Sequence, residues 1–241
     1  MTSICLKGDC LELMKDLSDN SIDLFICDLP YGILPSKTCE WDKKIDLEKF
    51  WIEVKRLSKN DKTPVLMFCN TKFGVELIMS NPSWFRYDLV WSKNMGVSFL
   101  LANKQPMKSH EMIYVFSKKG SNYNRIDEYV ENAKGYTREA YNRKGRGVGA
   151  VSMETTIVKE NIRCPISVIN FGRNQDKKHP TAKPIDLYDW LIKRYSNKGD
   201  TILDPTAGSF NSERSSLKLE RNYIGIEMNE EFFNNNKILK L

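Results

Sequence analysis

The sequence predicts an α/β fold, with a largely parallel sheet covered by helices on both faces. Three observations carry this reading. Compact apolar runs bounded by acidic, Gly or Pro residues recur through residues 1–116 and 179–241, the pattern of buried strands. Segments with apolar residues at helical spacing alternate with those runs. The 241 residues are 41% hydrophobic, with 5 Trp, 10 Tyr and 11 Phe, which suffices for a core of ordinary α/β size and excludes a disordered chain.

In chain order, DCLELMKDLSDN puts Leu11, Met14 and Leu17 on one helical face. IDLFICDLPYG is an apolar run that breaks at Asp28, Pro30 and Gly32, a buried strand whose C-terminal end opens into a loop. DLEKFWIEVKRLSKN aligns Leu47, Phe50, Trp51, Val54 and Leu57 as a second helix, and TPVLMFCN, FRYDLVWSKN and HEMIYVFSK read as three further strands. PIDLYDWLIKRYSN is a helix on Ile185, Leu187, Tyr188, Leu191 and Ile192, with a Pro suited to its first turn. TILDPTAGSFNS is a short strand closing on Asp204, followed by a small-residue turn with Gly208. SERSSLKLE then continues as a helix, and NYIGIE is a last strand ending on Glu227.

Between these parts, residues 117–178 form an insertion rich in Asn, Gly, Tyr and basic residues and poor in apolar periodicity. The insertion holds 13 basic and 7 acidic side chains, whereas the rest of the chain carries 24 of each, so the whole net charge of +6 sits there. The predicted organisation is therefore 1–116, an insertion at 117–178, and 179–241.

Other classes are excluded by what is missing from the pattern. No apolar run approaches the ~20 residues of a membrane span, and the N-terminal segment lacks the basic-then-apolar order of a secretion signal. Cysteines at 5, 10, 27, 39, 69 and 164 form no C-x-x-C pair, and two histidines assemble no zinc spacing. An intracellular soluble protein without a metal is expected.

Three strand ends carry the chemistry, since open α/β sheets bind ligands at the carboxyl ends of their strands. Asp204-Pro-Thr-Ala-Gly208-Ser is a tight turn that lets backbone approach a ligand. Glu227, 19 residues after Gly208, is suited to accept both hydroxyls of a ribose. Alone, the turn also fits an ordinary capped strand-to-helix connection and Glu227 a surface carboxylate; their coincidence points to a nucleoside cofactor. Asp28-Leu29-Pro30-Tyr31 joins a carboxylate, a backbone carbonyl set by Pro, and an aromatic ring. These fit a planar heterocyclic amine: two acceptors for the amino hydrogens and a ring to stack on the base. A capped turn with a surface Tyr is the other reading. His179-Pro-Thr-Ala-Lys183-Pro precedes a helix, where Lys and the helix N-terminus meet an anion or simply form a loop with two prolines. His110, before a strand, fits a structural role.

In this order the segments resemble the β-class of AdoMet-dependent DNA amino-methyltransferases: DLPY at 28–31, the basic insertion, HPTAKP at 179–184 and DPTAGSF at 204–210. Gly8-Asp9-Cys10, Trp41-Asp42 and His110-Glu111 are similar to further family features. The resemblance implies a Rossmann-like fold with a mostly parallel seven-stranded sheet, one antiparallel strand, circularly permuted motif order and a small target-recognition insertion. It implies S-adenosyl-L-methionine as cofactor, with Asp28, Leu29, Pro30 and Tyr31 holding the target base. It also implies cofactor contacts from Asp9, Cys10, Asp28, His179, Thr181, Lys183, Asp204, Thr206, Ala207, Gly208, Ser209, Glu227 and Met228. Two departures stand out: Leu29 replaces the first Pro of the family's motif, and Phe210-Asn211 replaces the usual Gly and Thr. Phe210 is expected to point away from the pocket, leaving Ala207, Gly208 and Ser209 to make the close approach.

The activity implied is methyl transfer to adenine N6 of a base flipped out of double-stranded DNA. Arg125, Arg138, Arg143, Lys144 and Arg146 are the candidate phosphate contacts. Cytosine-N4 transfer, a DNA-binding module without turnover, and a nicotinamide-dependent oxidoreductase are the alternatives. The chain is expected as a monomer or homodimer in the cytoplasm, with a restriction enzyme as a possible companion.

Overall fold

The computed structural model describes residues 1–32, 42–97, 99–139, 141–143, 151–173 and 182–238. They form two compact units, one of Met1–Asn124 with Ser167–Leu241 and one of Arg125–Ile166.

The larger unit is built on eight strands: β1 (Ser3–Lys7), β2 (Leu24–Cys27), β3 (Val65–Cys69), β4 (Phe85–Val97), β5 (Lys108–Phe116), β6 (Val168–Asn170), β7 (Thr201–Asp204) and β8 (Asn222–Glu227). Their order across the sheet is β1-β8-β7-β2-β3-β5-β4-β6. β5 runs antiparallel to both its neighbours, and every other pairing is parallel. The single antiparallel strand is as expected, but there are eight strands where the resemblance implied seven. Neither β1 nor the three-residue β6 shows in the apolar pattern. Both lie at the sheet's edges, where pairing with β8 and β4 makes them strands.

Alternation along the central strands sends side chains to two cores. Phe25 and Cys27 of β2, with Val65, Met67 and Cys69 of β3, face helices α1 (Cys10–Leu13), α2 (Leu47–Leu57) and α3 (Thr71–Ser80). Leu24, Ile26, Leu66 and Phe68 face α4 (Ile185–Tyr195) and Phe233 of α6 (Glu230–Ile238), with α5 (Asn211–Lys218) beside α4. The helices start where side chains replace missing backbone partners: Asp46 accepts from the N–H groups of Glu48 and Lys49, and Asn70 from that of Phe73. The first predicted helix is a single turn followed by a 3-10 turn over Met14–Asp16.

The flanks of the expected insertion belong to the larger unit. Tyr123 packs on Tyr195 with ring centroids 5.6 Å apart, and Asn124 Nδ2 donates to the Ser196 carbonyl. Beyond β6, the Phe171 carbonyl accepts from Trp91 Nε1 at 2.8 Å. The smaller unit is an antiparallel hairpin in which Tyr136–Arg138 pairs with Thr156–Val158 and Tyr141–Arg143 with Val151–Met153 in one continuous register. Glu128–Tyr129 and Ile162–Arg163 pair at its base. No described helix is long and apolar enough to cross a membrane.

Candidate active site

Sheet order decides where the predicted residues meet. β2 and β7 are neighbours, with Leu24 beside Ile202 and Phe25 beside Leu203, although 174 residues or more separate them in sequence. From β2 the chain proceeds outward to β3, and from β7 outward the other way to β8. This is the point where the winding reverses and a crevice opens at the carboxyl ends. Asp204 and Glu227 end β7 and β8, and Asp28 and Asp9 follow β2 and β1, so four neighbouring strands each deliver a carboxylate to one edge.

At the base corner, Asp28 accepts from Tyr31 Oη at Oδ1 (3.1 Å) and from Lys183 Nζ at Oδ2. The Tyr31 ring lies against Phe73, 5.2 Å between centroids and 29° between planes. Burial and the Asp28 charge hold its hydroxyl well above the usual phenol range. Leu29 is buried among Phe25, Cys27 and Phe50, so the residue that departs from the family's Pro keeps a backbone carbonyl and fills core. Gly32, at φ 65°, turns the chain out of the corner, and its N–H is pinned by Asp42 Oδ1 at 2.9 Å.

The Lys183 ammonium lies between Asp28 and Glu111, 3.6 Å from Glu111 Oε2, and 5.1 Å from the Phe68 ring centroid. Glu111 Oε1 accepts from Lys93, so Lys93, Glu111, Lys183 and Asp28 alternate in charge along a half-buried row. Burial opposes ionisation of Glu111, but the two ammonium groups outweigh it and hold the carboxyl below its usual range. Burial alone would also lower Lys183, yet Asp28 and Glu111 raise it.

At the cofactor turn, Gly208 (φ 48°) donates its N–H to Glu227 Oε2 at 2.7 Å, and Asn229 donates to Oε1 at 2.7 Å. Each Glu227 oxygen keeps a lone pair while the carboxylate is locked in place, and burial raises its pKa against these N–H donors. Asp204 is buried and accepts from Ser212 Oγ and the Thr206 N–H. Burial pushes it up to about 7; the two donors oppose the shift, and the charges of Asp28 and Glu227 add to it. Ala207 is buried, Ser209 half-buried and Met228 exposed. Asp9 caps α1 through the Leu11 N–H at 2.8 Å, and the buried Cys10 thiol is pushed up to about 12 by burial and by Asp9.

Phe210 is fully buried against Phe233, with its backbone left-handed at φ 54°, ψ 26°. Its ring belongs to the core beneath the turn, as the sequence led one to expect, and Gly in the family is explained by the same φ. Asn211 donates Nδ2 to the Lys183 carbonyl at 2.8 Å, fastening α5 to the segment that bears Lys183. Lys93 was not singled out in the sequence, and Asn211 stood out there only as a departure from the family's loop. The legible signal was opposite charge at the ends of two strands read as neighbours, Lys93 in WSKN and Glu111 in HEM.

His179 and Thr181 lie outside the described residues, as do Lys144, Arg146 and the side chains of Arg138 and Arg143. Arg125 is described, and its guanidinium grips Asp127 through two hydrogen bonds of 2.6 and 2.8 Å.

The turn suits a nucleoside with a cationic centre. Thr206 Oγ1 is buried with no hydrogen-bond partner among the described residues, and the surrounding charges are carboxylates.

Comparison with known proteins places this geometry. The DNA adenine methyltransferase YhdJ of Escherichia coli K12 is 28% identical over 94% of this chain and 79% of its own length. The M1.HpyAVI–SAM complex superposes with a TM-score of 0.64 at 21% identity, covering 99% of this chain and all of that one. PvuII DNA methyltransferase, cytosine-N4-specific, reaches 0.69 at 12% identity over 100% and 87%. At those identities the two structures show a shared fold. The sequence profile of the DNA methylases of N6/N4 type matches residues 22–238, so the chain belongs to the DNA methylase family.

Proposed function

We propose that this DNA methylase transfers a methyl group from S-adenosyl-L-methionine to the N6 amine of adenine in double-stranded DNA. The observation that carries the reading is the adjacency of the Asp28–Tyr31 corner and the Gly208–Glu227 turn at the winding reversal between β2 and β7. Bound S-adenosyl-L-methionine supplies an electrophilic methyl on a sulfonium.

The residues of the chain account for the rest. Glu227, Asp204, Thr206 and Gly208 fit the nucleoside end, with Asp9, Cys10, Asp28, Ala207, Ser209, Met228, His179, Thr181 and Lys183 as further candidates for cofactor contacts. The target amine is buried in the duplex, so the base must be turned out of the stack to reach Asp28. There Asp28 and the Leu29 carbonyl accept the two amino hydrogens, which directs the nitrogen lone pair toward the methyl, while Tyr31 supplies an aromatic surface. Catalysis is then mostly positioning and electrostatics. The excess of basic residues in 117–178 supports phosphate contacts by that segment, with binding that weakens steeply as salt rises.

The test is incubation with methyl-labelled S-adenosyl-L-methionine and unmethylated mixed-sequence DNA, digestion to nucleosides and chromatography. Label in N6-methyldeoxyadenosine, lost in Asp28→Asn, is the expected result. Label in N4-methyldeoxycytidine would move the target to cytosine, and full turnover by Asp28→Asn would remove Asp28 from the mechanism.

A further inference from the structure

We infer that Glu111 is a positioning residue for the transfer: it draws the Lys183 ammonium off Asp28 when the target amine arrives, so that Asp28 meets the amine with a free oxygen. This deepens the proposed function and rests on its reading of Asp28 as the amine's acceptor.

Both oxygens of Asp28 already hold donors. Tyr31 Oη occupies Oδ1 and Lys183 Nζ occupies Oδ2. An ammonium on a carboxylate weakens it as an acceptor for a neutral amine, and more so in a low-dielectric corner where Lys183 is only 6% exposed. The structure provides somewhere for that ammonium to go. Glu111 Oε2 is buried and accepts no hydrogen bond from a described residue, at 3.6 Å from Lys183 Nζ. A shift of about 0.7 Å brings the two within hydrogen-bond range.

The ammonium moves rather than the carboxylate. Glu111 sits on β5 in register with Trp91 of β4, and its other oxygen is held by Lys93, which lies 4.9 Å from the Trp91 ring centroid. Lys183 has its carbonyl fixed by Asn211, but its four-carbon stem leaves the ammonium free to slide over the Phe68 ring. The swap exchanges one buried ion pair for another, so no isolated charge is created. Asp28, at 26% exposure, is the open end of the row, where a base enters.

The test measures single-turnover methylation at saturating S-adenosyl-L-methionine, the dissociation constant of that cofactor, and Tm. It covers wild type, Glu111→Gln, Glu111→Asp, Lys183→Met, the double variant Glu111→Gln/Lys183→Met, and Asp28→Asn. The amide at 111 keeps the shape but cannot attract the ammonium, so Lys183 stays on Asp28. The methylation rate, measured where every variant is folded, is expected to fall about 10²-fold, the scale of a misplaced reacting group, with cofactor affinity within twofold and a lower Tm from the lost counter-charge of Lys93 and Lys183. Glu111→Asp recovers part of the rate. The double variant is faster than Glu111→Gln alone, because removing the ammonium frees Asp28 without help. A merely structural Glu111 would make the double variant no faster and would tie the rate loss to Tm; either result overturns the inference, as does a Glu111→Gln rate within twofold of wild type while Asp28→Asn is inactive. If Asp28→Asn itself turns over normally, the acceptor reading fails and this inference falls with it.

Discussion

Phe210 sets two physical effects against each other, and replacing it with Gly and with Ala separates them. Its ring is fully excluded from solvent, so truncation to Ala costs about 3–5 kcal/mol. Its backbone, at φ 54°, is left-handed, which costs an L-residue roughly 1–2 kcal/mol. Phe210→Ala loses the ring and keeps the strain. Phe210→Gly loses the ring and sheds the strain, offset by about 0.5–1 kcal/mol of extra unfolded-state entropy. Glycine is therefore expected to be the more stable of the two by up to about 1 kcal/mol, the reverse of the usual order in a core. For a chain of this size that is roughly 2–4 °C in Tm. Thermal and urea denaturation of both variants check it, alongside calorimetric titration with S-adenosyl-L-methionine, whose affinity should stay within a few-fold in both because the ring lies in the core. Phe210→Ala equal to or more stable than Phe210→Gly would refute the strain argument. A large gain in cofactor affinity for Phe210→Gly would place the ring in the pocket after all.

Asp204 and Asn211 yield two further expectations. The Asp204 carboxyl, held up at about 7, keeps its proton in the folded state across the interval in which an unfolded Asp, near pH 4, has lost it. Its stabilisation is therefore complete below about pH 4 and is lost as pH rises toward 7, by roughly 4 kcal/mol at most. Asp204→Asn, which mimics the protonated acid, should gain stability relative to wild type over that range; a difference independent of pH in urea titrations contradicts the assignment. Asn211→Ala removes the donor to the Lys183 carbonyl and Asn211→Thr shortens it out of reach, which costs about 1–3 kcal/mol and loosens the Lys183 backbone. Tm should fall by several degrees with a loss of turnover, and an unchanged Asn211→Thr would show that the shorter hydroxyl reaches the carbonyl as well.

The interior of the fold was legible because burial on both faces forces continuous apolar runs: Leu24–Cys27 and Val65–Cys69 are buried at every residue. The edges were not. β1 has no buried residue and is a strand because Ile4 to Lys7 pair with Ile224 to Glu227, a non-local fact. The strands paired between Tyr136–Arg138 and Thr156–Val158, and between Tyr141–Arg143 and Val151–Met153, showed no apolar periodicity for the same reason. They are three residues long and carry polar and basic side chains, so cross-strand pairing rather than periodicity defines them. At the site, Asp28, Asp204, Gly208 and Glu227 announced themselves as strand-end residues. The ion pairs of Lys183 did not, because its partners Asp28 and Glu111 stand 155 and 72 residues away. Spacing within a segment shows which groups reach an edge; which groups pair there depends on strand order.

Strand order also explains why two distant segments make one site. The Gly208–Glu227 turn follows β7 and the Asp28–Tyr31 corner follows β2, and pairing of β2 with β7 sets them side by side. A direct chain of contacts then runs from one to the other: Asn211 at the start of α5 holds the Lys183 carbonyl, and the Lys183 ammonium holds Asp28. The turn after β7 and the carboxylate after β2 are thus coupled through one residue. A displacement of α5 on cofactor binding would be felt at Lys183 before any base arrives, and the unpartnered Glu111 oxygen is the acceptor within 3.6 Å. The residue before the helix is in three dimensions the joint between the start of α5 and the carboxylate that follows β2.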